Sequence, residues 1–153
     1  MSELRELYQE IILDHNKNPR NFHKMENASC TGDGRNPLCG DHYTIFLKID
    51  NDKVSDVSFE GAGCAISKAS ASLMSTVLKG KSMAEAENLF QLFHKIVTGE
   101  INAMEHLDEL GKLAAFAGVA EFPVRVKCAT LAWHAMHDAL QGNQDVTSTE
   151  EKQ

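Results

Sequence analysis

The chain has 153 residues, 42% of them hydrophobic, and a formal net charge of −7, which suits one compact domain with its own core and no need of disulfide staples. Its few Lys and Arg are scattered, which argues against a nucleic-acid or anionic-membrane surface, since both need clustered positive charge. No apolar run is long enough to span a bilayer and the charged start Met1-Ser2-Glu3-Leu4-Arg5-Glu6 does not resemble a signal peptide, so a soluble, cytoplasmic protein is expected. In that reducing compartment four cysteines point to metal binding or catalysis rather than to disulfides.

In chain order, Leu4, Leu7, Tyr8, Ile11 and Ile12 recur at helical spacing. They predict an amphipathic helix over residues 4 to 14, capped by Ser2 and ending before Pro19. Residues 21 to 34 read as irregular or briefly extended. Tyr43, Ile45, Leu47 and Ile49 alternate with polar residues as in a half-buried strand. Asp50-Asn51-Asp52 is a turn, and a second strand carries Val57 and Phe59, with Val54 on the other parity marking a bulge or a late start. The pair forms an antiparallel hairpin.

Gly61 and Gly63 lead into a helix over Ala65 to Leu78, rich in Ala and Ser and closed by Gly80. Ser82-Met83-Ala84-Glu85 is a capping box, and the helix it opens buries Ala86, Leu89, Phe90, Phe93, Ile96 and Val97. Residues 103 to 120 suggest one or two short helices and a loop. Pro123 precedes a last helix with Val126, Ala129, Trp133, Met136 and Leu140 on one face. Residues 1–140 are read as one domain, and 141–153, without apolar periodicity, as a disordered tail.

The chemistry lies in three separated stretches. Asn36-Pro37-Leu38-Cys39-Gly40-Asp41 presents a thiol and a carboxylate in a tight loop, Cys64 follows Gly61-Ala62-Gly63, and Cys128 lies in Arg125-Val126-Lys127-Cys128. The hairpin returns Cys64 to the end where Cys39 and Asp41 enter. Cys39, Asp41, Cys64 and Cys128 form a soft-weighted tetrahedral set that suits zinc or an iron-sulfur centre and is poor for magnesium or calcium. Cys128 is expected in the first turn of the last helix, where the dipole favours a thiolate. Three thiolates and a carboxylate on a divalent ion leave excess negative charge, which Arg125 and Lys127 can offset. Cys30 has no partner motif and reads as a bystander. His134 and His137 read as a surface pair with no acidic or thiol partner, and strand alternation points His42 away from Asp41.

With these stretches in view, the chain resembles the SufU branch of the IscU/NifU N-terminal family of iron-sulfur cluster assembly proteins. The resemblance runs from about Leu4 to Leu140. It rests on Leu7-Tyr8 through Asp14-His15, Asn18-Pro19-Arg20-Asn21, Asn36 to Asp41, Phe59 to Ser67, and Phe122 to Leu131. IscU-type scaffolds carry His immediately before the third cysteine. Here that position is Lys127, and the stretch between the second and third cysteines is longer, as in the SufU branch.

The resemblance implies an α+β fold, a small antiparallel sheet of about three strands packed against several helices. It further implies zinc on Cys39, Asp41, Cys64 and Cys128, and persulfide sulfur accepted from a SufS-type, PLP-dependent cysteine desulfurase and passed to downstream Suf cluster-assembly machinery. A transient [2Fe-2S] cluster assembled on the same ligands is the alternative. Cys39, in a loop, is the easiest ligand to release and is the expected persulfide acceptor, with Cys128 second and Arg125 giving electrostatic support.

Overall fold

The computed structural model describes residues 2–142 and 147–148, with 2–4 and 147–148 described by backbone alone. The first helix, α1, spans Ser2–Lys17, longer than the expected 4 to 14. Ser2 lies inside it rather than capping it.

The segment after α1 turns back and is fastened to a second helix, α2 (Ala65–Leu78). Arg20 Nη2 meets Asp14 Oδ2 at 2.7 Å, and Asn21, at φ 58°, donates Nδ2 to Ser75 Oγ at 2.9 Å. The Ser72 hydroxyl accepts the Arg20 N–H at 2.9 Å and lies 2.7 Å from His15 Nδ1, to which it is free to donate.

His15 is buried. Burial lowers its pKa below the ordinary 6.5, and the positive charges of Arg20 and Lys112 lower it further, against a smaller opposing effect of Asp14. The folded state therefore holds fewer protons here than the unfolded chain once pH drops below about 6.5. Stability is expected to fall as pH falls from that point toward the lowered folded value. In urea midpoints taken between about pH 5 and 8, His15→Gln should flatten part of the acid slope. A slope identical to that of the parent protein would contradict this account.

Strands β1 (Cys30–Asn36), β2 (Asp41–Asp50) and β3 (Lys53–Ala62) form an antiparallel meander. The register runs from Cys30↔Leu47 to Asn36↔Asp41 and from His42↔Ala62 to Asp50↔Lys53. The β2–β3 hairpin is as expected, including an irregularity at Lys48/Ile49, opposite Val54. Its turn places Asn51 and Asp52 at φ 50° and 63°, the left-handed pair that a two-residue hairpin turn requires.

Where an irregular or briefly extended segment was expected, a full strand β1 begins at Cys30 and runs on to Asn36. Its glycines serve contact with the last helix, α5 (Pro123–Leu140). A Cβ on Gly32 would fall on the Ala135 carbonyl oxygen, and one on Gly34 would lie 3.0 Å from Leu131 Cδ1. Helix α5 thus lies directly on the β1 backbone.

Gly80 follows α2 at φ 91°. Helix α3 (Met83–Val97) opens with the expected capping box, Glu85 N–H to Ser82 Oγ at 3.0 Å and Ser82 N–H to Glu85 Oε1 at 2.8 Å, and buries its six expected apolar residues. Between α3 and α5 lie a 3-10 turn (Ala103–Glu105), a one-turn helix α4 (Leu107–Leu110) and a 3-10 run (Gly111–Glu121).

Helix α5 is covered nearly all round. It buries Cys128 through Trp133 as well as Ala135 and Met136, which is the pattern of a central helix rather than of a one-faced one. Of the tail expected at 141–153, residues 143–146 and 149–153 lie outside the described residues. Thr147–Ser148 form a short strand, β4, parallel to Gly34–Arg35, giving the sheet order β3-β2-β1-β4. Backbone pairing of this kind needs no side-chain period. Among the described residues no helix is long and apolar enough to cross a membrane.

Candidate metal centre

The turn joining β1 to β2 carries Cys39 and leads into Asp41, the first two candidate donors. Cys39 N–H bonds to Asn36 O at 3.2 Å and Gly40 takes φ 73°, so the chain reverses within Pro37 to Gly40 and presents Cys39 outward. Asp41, the first residue of β2, is 1% exposed. Across the sheet β3 ends beside it, and Cys64, the N-cap of α2, donates its backbone N–H to Asp41 Oδ1 at 2.8 Å. Cys128 reaches the same place from α5.

Ligating atoms of Cys39, Asp41 and Cys128 all lie within 4.8 Å of one another. Cys39 Sγ and Cys128 Sγ are 3.5 Å apart, and Cys64 Sγ lies 3.7 Å from Asp41 Oδ2. A tetrahedral ion with Zn–S bonds of about 2.3 Å separates its donors by roughly 3.5–3.8 Å. Cys39, Asp41 and Cys128 are thus spaced to share one ion, whereas Cys64 lies outside that mutually close group and reaches it through Asp41; the chemistry of the four donors suits zinc and equally an iron-sulfur centre.

The thiols are electrically unequal. The Cys64 pKa is lowered to about 6, chiefly by its hydrogen bond with Cys128 and also by the Ser67 N–H at the start of α2, against its own burial. The Cys128 thiol is pushed up, first by that same bond to Cys64 and then by burial. The expectation that the helix start would lower Cys128 is thus corrected. Helix α5 begins at Pro123, so Cys128 lies in its second turn, beyond the free N–H groups, while Cys64 occupies the helix-start position. Behind them Ser67 Oγ donates to Tyr43 Oη at 3.2 Å. The Tyr43 hydroxyl is pushed up to about 12, mainly by burial.

Arg125 is exposed and holds its guanidinium 4.6 Å over the Phe122 ring. Both border a groove of about 1130 Å³ that runs from the thiols along α1, lined also by Tyr8, Ile12, Leu13 and Val124. Its rim is apolar, with Leu13 61%, Phe122 48% and Val124 52% exposed.

Cys30 opens β1 at the end of the sheet remote from the turn, about 20 Å away at strand spacing. His42 is exposed, its Nε2 3.8 Å from Asp33 Oδ1. The histidines of α5 do have an acidic neighbour, contrary to expectation. His137 Nδ1 lies 2.6 Å from Glu87 Oε1 of α3, and Phe90 stacks on His137 and meets His134 edge-on, with ring centroids 4.9 and 5.3 Å away. The sequence reading also passed over Asn36, which is fully buried and donates Nδ2 to Cys128 Sγ at 3.5 Å. Its one signal was its place at the head of the Asn36–Asp41 loop.

Residues 7–142 match the NifU-like N terminal domain. The chain is 43% identical over 141 residues to the zinc-dependent sulfurtransferase SufU of Bacillus subtilis (strain 168), covering 91% of this chain and 92% of that one. It is 40% identical over 141 residues to the iron-sulfur cluster assembly scaffold protein IscU of Streptococcus pyogenes serotype M1, covering 92% and 87%. The crystal structure of a putative iron-sulfur cluster assembly scaffold protein for the SUF system from Fervidobacterium islandicum AW-1 superposes with a TM-score of 0.80 at 36% identity, over 89% of this chain and 98% of that one. The α+β architecture and the matched length agree, and the chain belongs to the NifU-like N-terminal family of SufU- and IscU-type iron-sulfur cluster assembly proteins.

Proposed function

We propose that this chain is a zinc-dependent sulfur-transfer protein of iron-sulfur cluster assembly. It takes persulfide sulfur from a SufS-type cysteine desulfurase and hands it to the downstream Suf machinery in the cytoplasm. One observation carries the reading. Of the four donors, Cys39 alone is exposed and lies in a turn, while Asp41 and Cys128 are buried and Cys64 begins a helix. Cys39, Asp41, Cys64 and Cys128 would hold the zinc, which would keep the thiols deprotonated and shield their charge.

The step itself belongs to the chain. The Cys39 thiolate attacks the outer sulfur of the desulfurase persulfide, a new S–S bond forms at Cys39 Sγ, and the desulfurase thiolate leaves with the electron pair of the broken bond. Asp41, Cys64 and Cys128 stay in place. Arg125, at the mouth of the groove, supports the anionic centre as the partner approaches. Cys128 is the second-choice acceptor.

The rival reading, a scaffold for a transient [2Fe-2S] cluster, draws on the scaffold-named relative at 40% identity. Metal analysis of anaerobically purified protein, followed by a desulfurase assay with and without chelator, separates the two. Zinc near one per chain with chelator-sensitive stimulation is expected, whereas iron and sulfide with a visible chromophore would reject the transfer reading. Cys39→Ser should abolish stimulation and remove the persulfide from the chain.

A further inference from the structure

We infer that Asn36 is a positioning residue that directs sulfur chemistry to Cys39 by holding Cys128 back. The inference rests on the transfer reading above but concerns a residue outside the donor set. Three cysteine sulfurs share one site, and something must decide which of them reacts.

Each sulfur meets a different set of donors. Cys64 Sγ accepts the Ser67 N–H at 3.5 Å from the first turn of α2. Cys128 Sγ accepts the Asn36 side-chain amide at 3.5 Å. Cys39 Sγ, among the described residues, has only the Cys128 thiol as a hydrogen-bond neighbour, at 3.5 Å. With all three sulfurs deprotonated, as on the proposed metal, an N–H bond to a sulfur lone pair withdraws electron density from the atom that must attack an electrophile. It has to be broken or weakened on the way to the transition state, so it slows that sulfur relative to one without it.

The Asn36 amide is well placed for this. The residue is fully buried, it ends β1 opposite Asp41, and its carbonyl accepts the Cys39 N–H at 3.2 Å. One residue thus folds the turn that presents Cys39 and restrains the thiol behind it. Ninety-two positions separate Asn36 from Cys128, so the contact exists only once β1 lies on α5. Exposure and hydrogen bonding then select the same atom.

Site-resolved alkylation tests the assignment without the desulfurase. The protein as purified is treated with limiting iodoacetamide, and the label on each cysteine is read by peptide mass spectrometry, with Cys30 as internal reference for general opening. Parent protein should label at Cys39 well before Cys128. Asn36→Ala should lower the Cys39-to-Cys128 labelling ratio about tenfold, the worth of one hydrogen bond to a charged sulfur. Asn36→Gln, which restores an amide, should recover much of that ratio.

An unchanged ratio in Asn36→Ala overturns the inference. If Asn36→Ala also raises labelling of Cys30, the glutamine variant decides: a ratio near that of the parent protein supports the role, and one equal to that of alanine overturns it. Failure of the desulfurase assay with alkylation selectivity intact rejects the transfer function and leaves the selectivity in place.

Discussion

If the site holds zinc as proposed, Gly63→Ala is expected to weaken that binding by 10–100-fold, about what a lost supporting contact costs a metal site, while leaving the fold intact. A Cβ at Gly63 would lie on Asp41 Oδ1, 2.7 Å from Asp41 Cγ and 2.7 Å from Ser67 Oγ. Something must move, and both neighbours belong to the site. Asp41 is 1% exposed and held by the Cys64 N–H at 2.8 Å, so displacing its carboxylate would remove a proposed donor and disturb the start of α2 together. Gly118→Ala is the matched control, because it adds a methyl beside the same groove with nothing within 4 Å of the new carbon. Competition against a chromophoric chelator measures both. Equal affinity in the two variants would show that Asp41 does not depend on the room Gly63 leaves.

The second large effect lies in the core. Trp133→Ala should cost about 3–5 kcal/mol of unfolding free energy, the range for deleting a buried aromatic. Trp133 is fully buried and stacks on Phe93 at 4.6 Å and 20°. Its Nε1 donates to Ser70 Oγ at 3.1 Å, and the same hydroxyl donates to the Ala129 carbonyl at 2.6 Å. The indole thereby links α5 to both α2 and α3. Trp133→Phe keeps a ring against Phe93 and loses the N–H bond, so about 1 kcal/mol of the loss should remain. Urea unfolding of the pair distinguishes the contributions: both variants lack the N–H bond, so an alanine variant within about 1 kcal/mol of the phenylalanine one would mean that the ring against Phe93 is worth little.

How much of this was legible in the sequence depended on how local the cause was. The β2–β3 hairpin, the capping box at Ser82 and the apolar stripe of α3 are written in short-range periods and caps, and they stand as expected. The convergence of Asp41 and Cys64 followed from the hairpin alone. Strand β1 was hidden because Thr31-Gly32-Asp33-Gly34 has the composition of a turn. Its glycines answer to a helix about a hundred residues further on, and no local window contains that partner. Short helices and a loop were expected over 103 to 120, but not the eleven-residue length of the 3-10 run at Gly111–Glu121, along which Leu113 and Phe116 are buried without forming a helical stripe. The Glu87–His137 contact and the Asn36 amide on Cys128 span 50 and 92 residues. For the same reason the placement of Cys128 was judged from Pro123 as a neighbour of the helix, when Pro123 is the helix's first residue.

The turn that carries Cys39 has a kinetic consequence. Gly40 takes φ 73° with nothing within 4 Å of where a side chain would start, and the turn's flanks are already paired, Asn36 with Asp41. Swinging Cys39 away therefore breaks no strand pairing and unwinds no helix. Motions of this class run on nanoseconds to microseconds, whereas freeing a residue of a packed helix such as α5 waits on local unfolding, microseconds to seconds. Under the proposed transfer function, the clock for accepting sulfur would then be set by how often a partner arrives and a single bond lets go, with no strand or helix having to open.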